Sequence, residues 1–298
     1  MSTDVPRSAD ASWLHAPPLS EAGHVWRRRA SLALMAASGF AGLGYQIVWT
    51  QQCALWLGHE SAAVLAVVAA FFGGLAVGAF AFGTRIERSP HPGRWYAACE
   101  LVIASWGLFL IVAVAPFSAW AVGVTGVQPT PLWLWTVAFC GTFLLLLPAT
   151  AAMGATLPAM ERVTAQLRGG GRSIASLYAS NTLGAVVGVL ATAFWLIPEF
   201  GLQFTAGVCV GLNLICAVAV LTLWPSELRA VDQPVAPVVP VARGVLARLA
   251  LTGLLGIGYE VLVVRVLSQV DEDTVYTFAV LLAIYLVGSA IGAAGHQR

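Results

Sequence analysis

Long stretches without charged side chains are the feature that most constrains this fold. The first runs from Ala30 to His59 and the second from Ser61 to Thr84, and each holds about the 20 apolar residues that a spanning helix requires. Hydrophobic residues make up 59% of the chain, charged residues make up 10%, and the mean hydropathy is +0.82. A soluble domain carries about a quarter charged residues. The sequence therefore predicts a membrane protein.

Helices account for these stretches better than strands. Lipid offers the backbone no hydrogen-bond partner, so each segment must satisfy its own amides, as a helix does. A transmembrane barrel needs alternating strands of about ten residues, and the Leu, Val and Ala runs here do not alternate. We predict an all-α, polytopic membrane protein. Its eight spans would lie at 31–49, 62–83, 97–116, 132–150, 174–197, 203–224, 245–266 and 275–295.

The arginines predict how these spans are oriented. With a cytoplasmic N-terminus, every arginine falls on the inner side except Arg265, as the positive-inside rule requires. Composition further divides the chain. We expect a disordered cytoplasmic tail, a six-helix unit, a proline-rich cytoplasmic linker and the first two helices of a second unit, at 1–29, 30–224, 225–244 and 245–298.

Residue usage excludes several chemistries. All fifteen basic residues are arginine, so there is no lysine for a P-loop or for a Schiff base. The cysteines are odd in number and form no C-x-x-C pair. We predict that they fill apolar space, and that this chain has no catalytic residue, metal site, cofactor or nucleic-acid partner. The five are Cys53, Cys99, Cys140, Cys209 and Cys216.

One phrase recurs after six predicted spans. GFAGLGYQ, residues 39–46, is echoed by GLLGIGYE, residues 253–260, and the match continues without gaps into spans two and eight. Both copies would cross the membrane in the same direction. The pattern therefore predicts a parallel internal repeat, as in transporters built from two six-helix halves. Chance similarity between helices rich in glycine and alanine is the alternative.

Glycines four residues apart indicate close helix packing. The G-x-x-x-G spacing puts two small residues on one helix face, where a second backbone can approach. We expect these residues to pack helices and to carry no chemistry. The candidates are Gly74, Gly78, Gly184, Gly188, Gly207, Gly211, Gly288 and Gly292.

Several longer motifs resemble a known family. They are GFAGLGYQIVW (39–49), AAFFGGLAVGAF (69–80), LPATAAMGATLPAMER (147–162), LYASNTLGAVVGV (177–189) and GLLGIGYEVLVVRVLSQ (253–269). They are similar to the membrane half of bacterial spermidine synthase-like proteins, in which a polytopic domain precedes an aminopropyltransferase domain. The resemblance covers about residues 30–298.

The resemblance implies a multi-pass protein of the bacterial inner membrane. Its partner would be an aminopropyltransferase domain or subunit that binds decarboxylated S-adenosylmethionine and an amine. The glycine-rich and acidic loop of that enzyme has no counterpart in this sequence. Gln46 and Gln51 also depart from the family pattern, which often has glutamate and arginine there. Glu260 and Arg265 keep the fuller pattern.

The repeated phrase carries the first candidate site. Ionisable groups in a spanning helix are costly and mark function by default. Glu260 follows Tyr259 in span seven, and the corresponding pair in span one is Tyr45 and Gln46. One interpretation is an outward-facing polar site, with Glu260 serving a cationic or polar ligand. The other is an internal ion pair between Glu260 and Arg265, although five residues is not the favoured helical spacing.

A second candidate site lies toward the predicted inner face. Glu100 falls in span three, and Tyr178 and Asn181 share a face of span five because they are three residues apart. These side chains could bind a substrate. Alternatively, Glu100 lies about one turn into its helix, where the helix dipole alone favours a carboxylate.

Three functions are consistent with these observations. The first is a membrane module that anchors a polyamine-type transferase and handles its small cationic substrate. The second is a stand-alone small-molecule transporter, with homo-oligomers supplying further helices. The third is a purely structural or assembly protein, or a truncated remnant without catalytic activity.

Overall fold

The computed structural model describes residues 21–57, 60–165, 172–224, 243–267 and 275–296. This part of the chain is almost entirely helical and contains no β-strand, which confirms the predicted all-α class. The helices are α1 (Glu21–Leu57), α2 (Glu60–Glu87), α3 (Pro92–Thr125), α4 (Pro131–Ala165), α5 (Arg172–Ala191), a π-helical turn (Thr192–Leu196), α6 (Ile197–Leu223), α7 (Arg243–Leu267) and α8 (Val275–His296).

Six helical segments within the described ranges are long and apolar enough to cross a membrane. The longest, Ile174–Leu223, has 50 residues, which at about 1.5 Å per residue is more than twice the roughly 30 Å of a bilayer core. Gly201 interrupts its helical backbone with φ 77° and ψ 172°, a conformation that a residue without Cβ adopts at little cost. This break falls between the predicted fifth and sixth spans. α8 adds a shorter apolar stretch, Tyr276–Gly292.

Two predicted segments, the tail and the linker, fall largely outside the described residues. α1 begins at Glu21, so it includes the last nine residues of the segment predicted as a tail, 21–29. Residues 1–20 and 225–242 are not described. The predicted domain boundaries there stay predictions.

α1 holds the bundle together. It packs chiefly against α5 and α6, while α2 packs on α4, and α3 packs on both α4 and α6. The main core between these helices includes Tyr45, Trp49, Ile103, Leu146 and Met160. A smaller core joins α8 to α1, α2 and α5 through Ile47, Val68, Val189, Phe278 and Leu282. Most of the buried volume therefore lies within the first six helices.

Glycines set the closest helix contacts. A Cβ at Gly74 would overlap Thr150, and one at Gly78 would overlap the carbonyl oxygen of Ala151, so α2 and α4 approach at backbone distance. Gly184 and Gly188 bring α5 equally close to the backbone of α1 at Ala36 and Phe40. Such approaches are possible only where no side chain intervenes. At the other four candidate glycines, no described atom outside the local helix lies within 4 Å of an added Cβ: Gly207, Gly211, Gly288 and Gly292.

The outer helix faces are apolar. Phe80 is 91% exposed and Ile291 is 67% exposed. In α7, no residue is buried in the most apolar 18-residue stretch of Gly244–Val263. Exposed apolar surface of this extent is unfavourable in water and suits contact with lipid hydrocarbon.

Candidate functional site

A carboxyl group is buried among the helices that form the main core. Glu100 of α3 has no solvent-exposed surface, and Asn213 of α6 is 1% exposed. The Asn213 amide donates a hydrogen bond from Nδ2 to Oε2 of Glu100 at 2.6 Å. Burial of an ionisable group in apolar surroundings is costly and marks a candidate functional site. The Glu100–Asn213 pair is therefore the starting point for the candidate site.

Further polar side chains surround this pair. Ser38 of α1 and Tyr96 of α3 are both buried and interact with the Glu100 carboxyl group. The Tyr96 hydroxyl, Oε1 of Glu100 and Oδ1 of Asn213 nevertheless complete no hydrogen bond within the described residues. A buried polar atom left without a partner costs about 1–3 kcal/mol. The cluster is therefore equipped to bind another hydrogen-bonding group.

Tyr45 extends this cluster along α1. Its side chain is fully buried and its ring stacks on Trp49, with centroids 5.0 Å apart and planes 15° apart. Gly107 of α3 makes room for it, since a Cβ there would lie 2.5 Å from the Tyr45 hydroxyl oxygen. That hydroxyl also has no partner among the described residues, and it interacts electrostatically with Glu100. We define Ser38, Tyr45, Tyr96, Glu100 and Asn213 as the Glu100 cluster.

The position of Glu100 differs from the prediction. α3 begins at Pro92, so Glu100 lies eight residues into the helix. The helix dipole acts on side chains mainly within the first turn. The dipole therefore does not account for a carboxyl group at this position, and the packing of α1 and α6 around it becomes the relevant environment.

Several predicted site residues lie outside this cluster. Gln46 is 1% exposed, but one residue of helix rotates it about 100° from Tyr45, and its Nε2 atom has no described partner. Tyr178 is 40% exposed on α5. Asn181 is half-buried, and its carbonyl oxygen would collide with a Cβ at Gly39 of α1. Its backbone is thus part of a helix contact.

The second copy of the repeated phrase is arranged differently. Tyr259 on α7 is 65% exposed. The side chains of Glu260 and Arg265 fall outside the described residues. The predicted site at Glu260, and its alternative as an ion pair, both stay predictions.

Sequence reasoning missed Asn213, Tyr96 and Ser38. An asparagine in the middle of an otherwise apolar span is itself a signal, because amides are costly in lipid and seek a partner. Nothing in the local sequence of α6 identifies Glu100, 113 positions away, as that partner. Tyr96 lies four residues before Glu100, and this spacing places both on one face of α3.

A polar cavity lies at the ends of α2 and α4. It measures about 390 Å³ and is lined by Gly83, Glu87, Pro158, Glu161, Arg162 and Ala165. Its carboxylates are partly open to solvent, which screens their charge. This cavity lies apart from the Glu100 cluster.

The Glu100 cluster offers one carboxyl group, one amide and three hydroxyl groups. No group of three or more His, Cys, Asp or Glu side chains within the described ranges is placed to hold a metal ion. A single carboxyl group with hydroxyl neighbours can accept hydrogen bonds from an ammonium group or exchange a proton. Comparisons with protein-family models, curated proteins and solved structures find no match for this chain.

Proposed function

We propose that this chain is a membrane module that binds a small cationic, polyamine-like molecule at the Glu100 cluster and anchors an aminopropyltransferase domain or subunit. The buried Glu100 carboxyl group is the observation that carries the proposal. A carboxyl group enclosed by hydroxyl and amide groups offers the hydrogen-bond acceptors that an alkylammonium ion can bind. The resemblance of the five motifs to the spermidine synthase-like family supports this choice of partner.

The electrostatics of the cluster favour a cation over an anion. Within the described ranges no arginine or histidine forms an ion pair with Glu100, and its Asn213 partner is neutral. An ionised Glu100 is therefore uncompensated, and a buried uncompensated charge costs several kcal/mol. A bound ammonium group would neutralise that charge and could donate to Oε1, the oxygen that has no described partner.

The proposal includes eight membrane spans in the inner membrane, with a cytoplasmic N-terminus. The distribution of the arginines supports this orientation. The proposal also includes a parallel repeat that relates α1 and α2 to α7 and α8, supported by the ungapped match of GFAGLGYQ with GLLGIGYE.

Binding of labelled spermidine to the purified protein in detergent tests the proposal. We expect Glu100→Gln to weaken binding about tenfold or more, because a hydrogen bond to a charged group contributes about 1.5–3 kcal/mol and 1.4 kcal/mol is tenfold in affinity. Glu199→Gln is the matched control, since Glu199 is an exposed carboxylate in the first turn of α6 and should leave binding unchanged. Equal spermidine affinity in the parent protein and in Glu100→Gln would contradict the proposal.

Transport is the second candidate function. The burial of Glu100 between α1 and α6 favours it, because ionisable side chains that face the interior of a membrane bundle mark substrate and proton pathways. Spermidine counterflow in sealed vesicles separates the two functions. Binding without counterflow supports the anchoring module, whereas counterflow that Glu100→Gln abolishes supports a transporter.

A further inference from the structure

A line of polar and aromatic side chains follows one face of α1. Ser38, Tyr45, Gln52 and Trp56 are spaced by seven, seven and four residues, and this spacing places them on the same helix face. At about 1.5 Å per residue they extend over roughly 27 Å, close to the roughly 30 Å of a bilayer core. The Glu100 cluster occupies only the first part of this line.

The far end of the line contains a second group of buried polar side chains. Gln52 is 7% exposed, Cys53 is 1% exposed, and Thr142 of α4 has no exposed surface. Cys53 interacts with both Trp56 and Thr142, so α1 and α4 bring these groups together. We call Gln52, Cys53, Trp56 and Thr142 the far cluster.

Three buried polar atoms of the far cluster complete no hydrogen bond of good geometry with a described residue. They are Oε1 of Gln52, Nε1 of Trp56 and Oγ1 of Thr142. The thiol of Cys53, a weak hydrogen-bonding group, is the neighbour of the last two. The Gln52 oxygen accepts, the Trp56 N–H donates, and the Thr142 hydroxyl can do either. Buried water typically makes two to four hydrogen bonds to such groups. The chemistry of the cluster therefore fits water or a small hydrogen-bonding cation.

Aromatic rings separate the two clusters. Trp49 is 2% exposed and lies on α1 between Tyr45 and the far cluster, with its indole stacked on the Tyr45 ring. Within the far cluster, Trp56 packs edge-on against Phe117 of α3, with centroids 5.7 Å apart. The stacked rings present apolar faces that offer a polar group no full hydrogen bond, so they form an unfavourable surface along α1 between the clusters.

We propose that the far cluster is a binding site for water and small cations on a path to Glu100, and that the Tyr45–Trp49 stack is the barrier between them. The inference deepens the proposed function, since Glu100 is the end of the path. It adds a second binding site, a route along α1 and a gate. It predicts that a small cation reaches the far cluster from the C-terminal end of α1 even while the Tyr45–Trp49 stack blocks its way to Glu100.

Native cysteines provide the test. Cys53 lies in the far cluster, and Cys216 lies on the other side of the stack, with its Sγ atom 3.6 Å from the Leu34 carbonyl oxygen. Cys140 is exposed on α4 beside the apolar residues Ala69, Phe139 and Leu144, so it serves as the lipid-facing control. Three variants would each retain one of these cysteines, with the other four replaced by alanine.

Each variant, in sealed membrane vesicles, is treated from one side and then from the other with cationic methanethiosulfonate ethylammonium. We expect modification of Cys53 from one side to be about tenfold or more faster than modification of Cys216 or Cys140, the difference that about 1.4 kcal/mol of barrier produces. In the variant that retains Cys216, Trp49→Ala should raise the rate about tenfold. Trp106→Ala is the matched control, since Trp106 is a half-buried indole of α3 bonded to the Leu145 carbonyl oxygen.

Slow modification of Cys53 from both sides would overturn the far site. An equal effect of Trp49→Ala and Trp106→Ala on Cys216 would overturn the gate. If Trp49→Ala does not elute as a folded species in gel filtration, Gln52→Leu combined with Thr142→Val replaces it and must slow Cys53 modification about tenfold. If the parent protein does not bind spermidine and Cys53 is still modified rapidly from one side, the proposed ligand is contradicted and the path is not.

Discussion

Two segments of this chain with similar sequence phrases occupy different environments. α1 and α2 carry the phrase GFAGLGYQ and the pair Gly74 and Gly78, and α7 and α8 carry GLLGIGYE and the corresponding glycines. Tyr45 is fully buried, whereas its counterpart Tyr259 is 65% exposed. The same local pattern is thus compatible with a core position and with an exposed one. What differs is the set of helices packed against it.

The glycine pairs show the same difference. Gly74 packs against the Thr150 side chain and Gly78 against the Ala151 backbone, while no described atom of another helix lies within 4 Å of a Cβ added at Gly288 or Gly292. A small residue creates an opportunity for close contact, and the contact forms only where a partner helix is present. This difference between the two segments leads to three predictions, given from the largest expected effect to the smallest.

Truncation of the two tyrosines should separate the segments most clearly. Tyr45→Ala removes a buried ring that stacks on Trp49, so we expect a loss of about 3–5 kcal/mol in unfolding free energy. Tyr259→Ala should change it by less than about 1 kcal/mol, because the ring is mostly exposed. Unfolding in detergent, followed by circular dichroism, measures both. Losses of equal size would show that burial of Tyr45 in α1 does not make it more important for stability than Tyr259.

Addition of one methyl group tests the glycine contacts. Gly78→Ala places a Cβ against the Ala151 carbonyl oxygen, and overpacking of this kind costs about 1–3 kcal/mol. Gly292→Ala meets no described neighbour and should be neutral, or stabilising by up to about 1 kcal/mol through helix propensity. Thermal unfolding of both variants in the same detergent is the measurement. A destabilised Gly292→Ala would reveal a partner for α8.

Removal of one hydroxyl group should have the smallest effect on stability. The Tyr45 hydroxyl has no described partner, so Tyr45→Phe should change the unfolding free energy by less than about 1 kcal/mol. If this hydroxyl contacts the cation bound at Glu100, spermidine affinity should fall about threefold to tenfold, as expected for one hydrogen bond. Tyr259→Phe is the matched control and should alter neither quantity. A strong loss of stability in Tyr45→Phe would point to a structural role for the hydroxyl.

Composition was sufficient to predict the helices but not the polar contacts. The uncharged stretches predicted the helical class, and Gly201 interrupts the backbone between two predicted spans. Glu100 was identified as a candidate because a carboxyl group in an apolar segment is rare. Its partner Asn213 was not, because a hydrogen bond between residues 113 positions apart depends on how α3 and α6 pack. No local sequence pattern shows that two residues so far apart in the chain are in contact.

Sequence alone determined that this chain forms apolar helices, since the hydropathy of each segment and the hydrogen-bonding demand of its backbone are local properties. Tertiary structure decided which polar side chains are buried together. Ser38, Tyr45, Glu100 and Asn213 come from three helices, and only the packing of α1 against α3 and α6 joins them. The same packing decided that Tyr45 is buried and Tyr259 is exposed, because exposure depends on neighbouring helices and not on the residue or its motif.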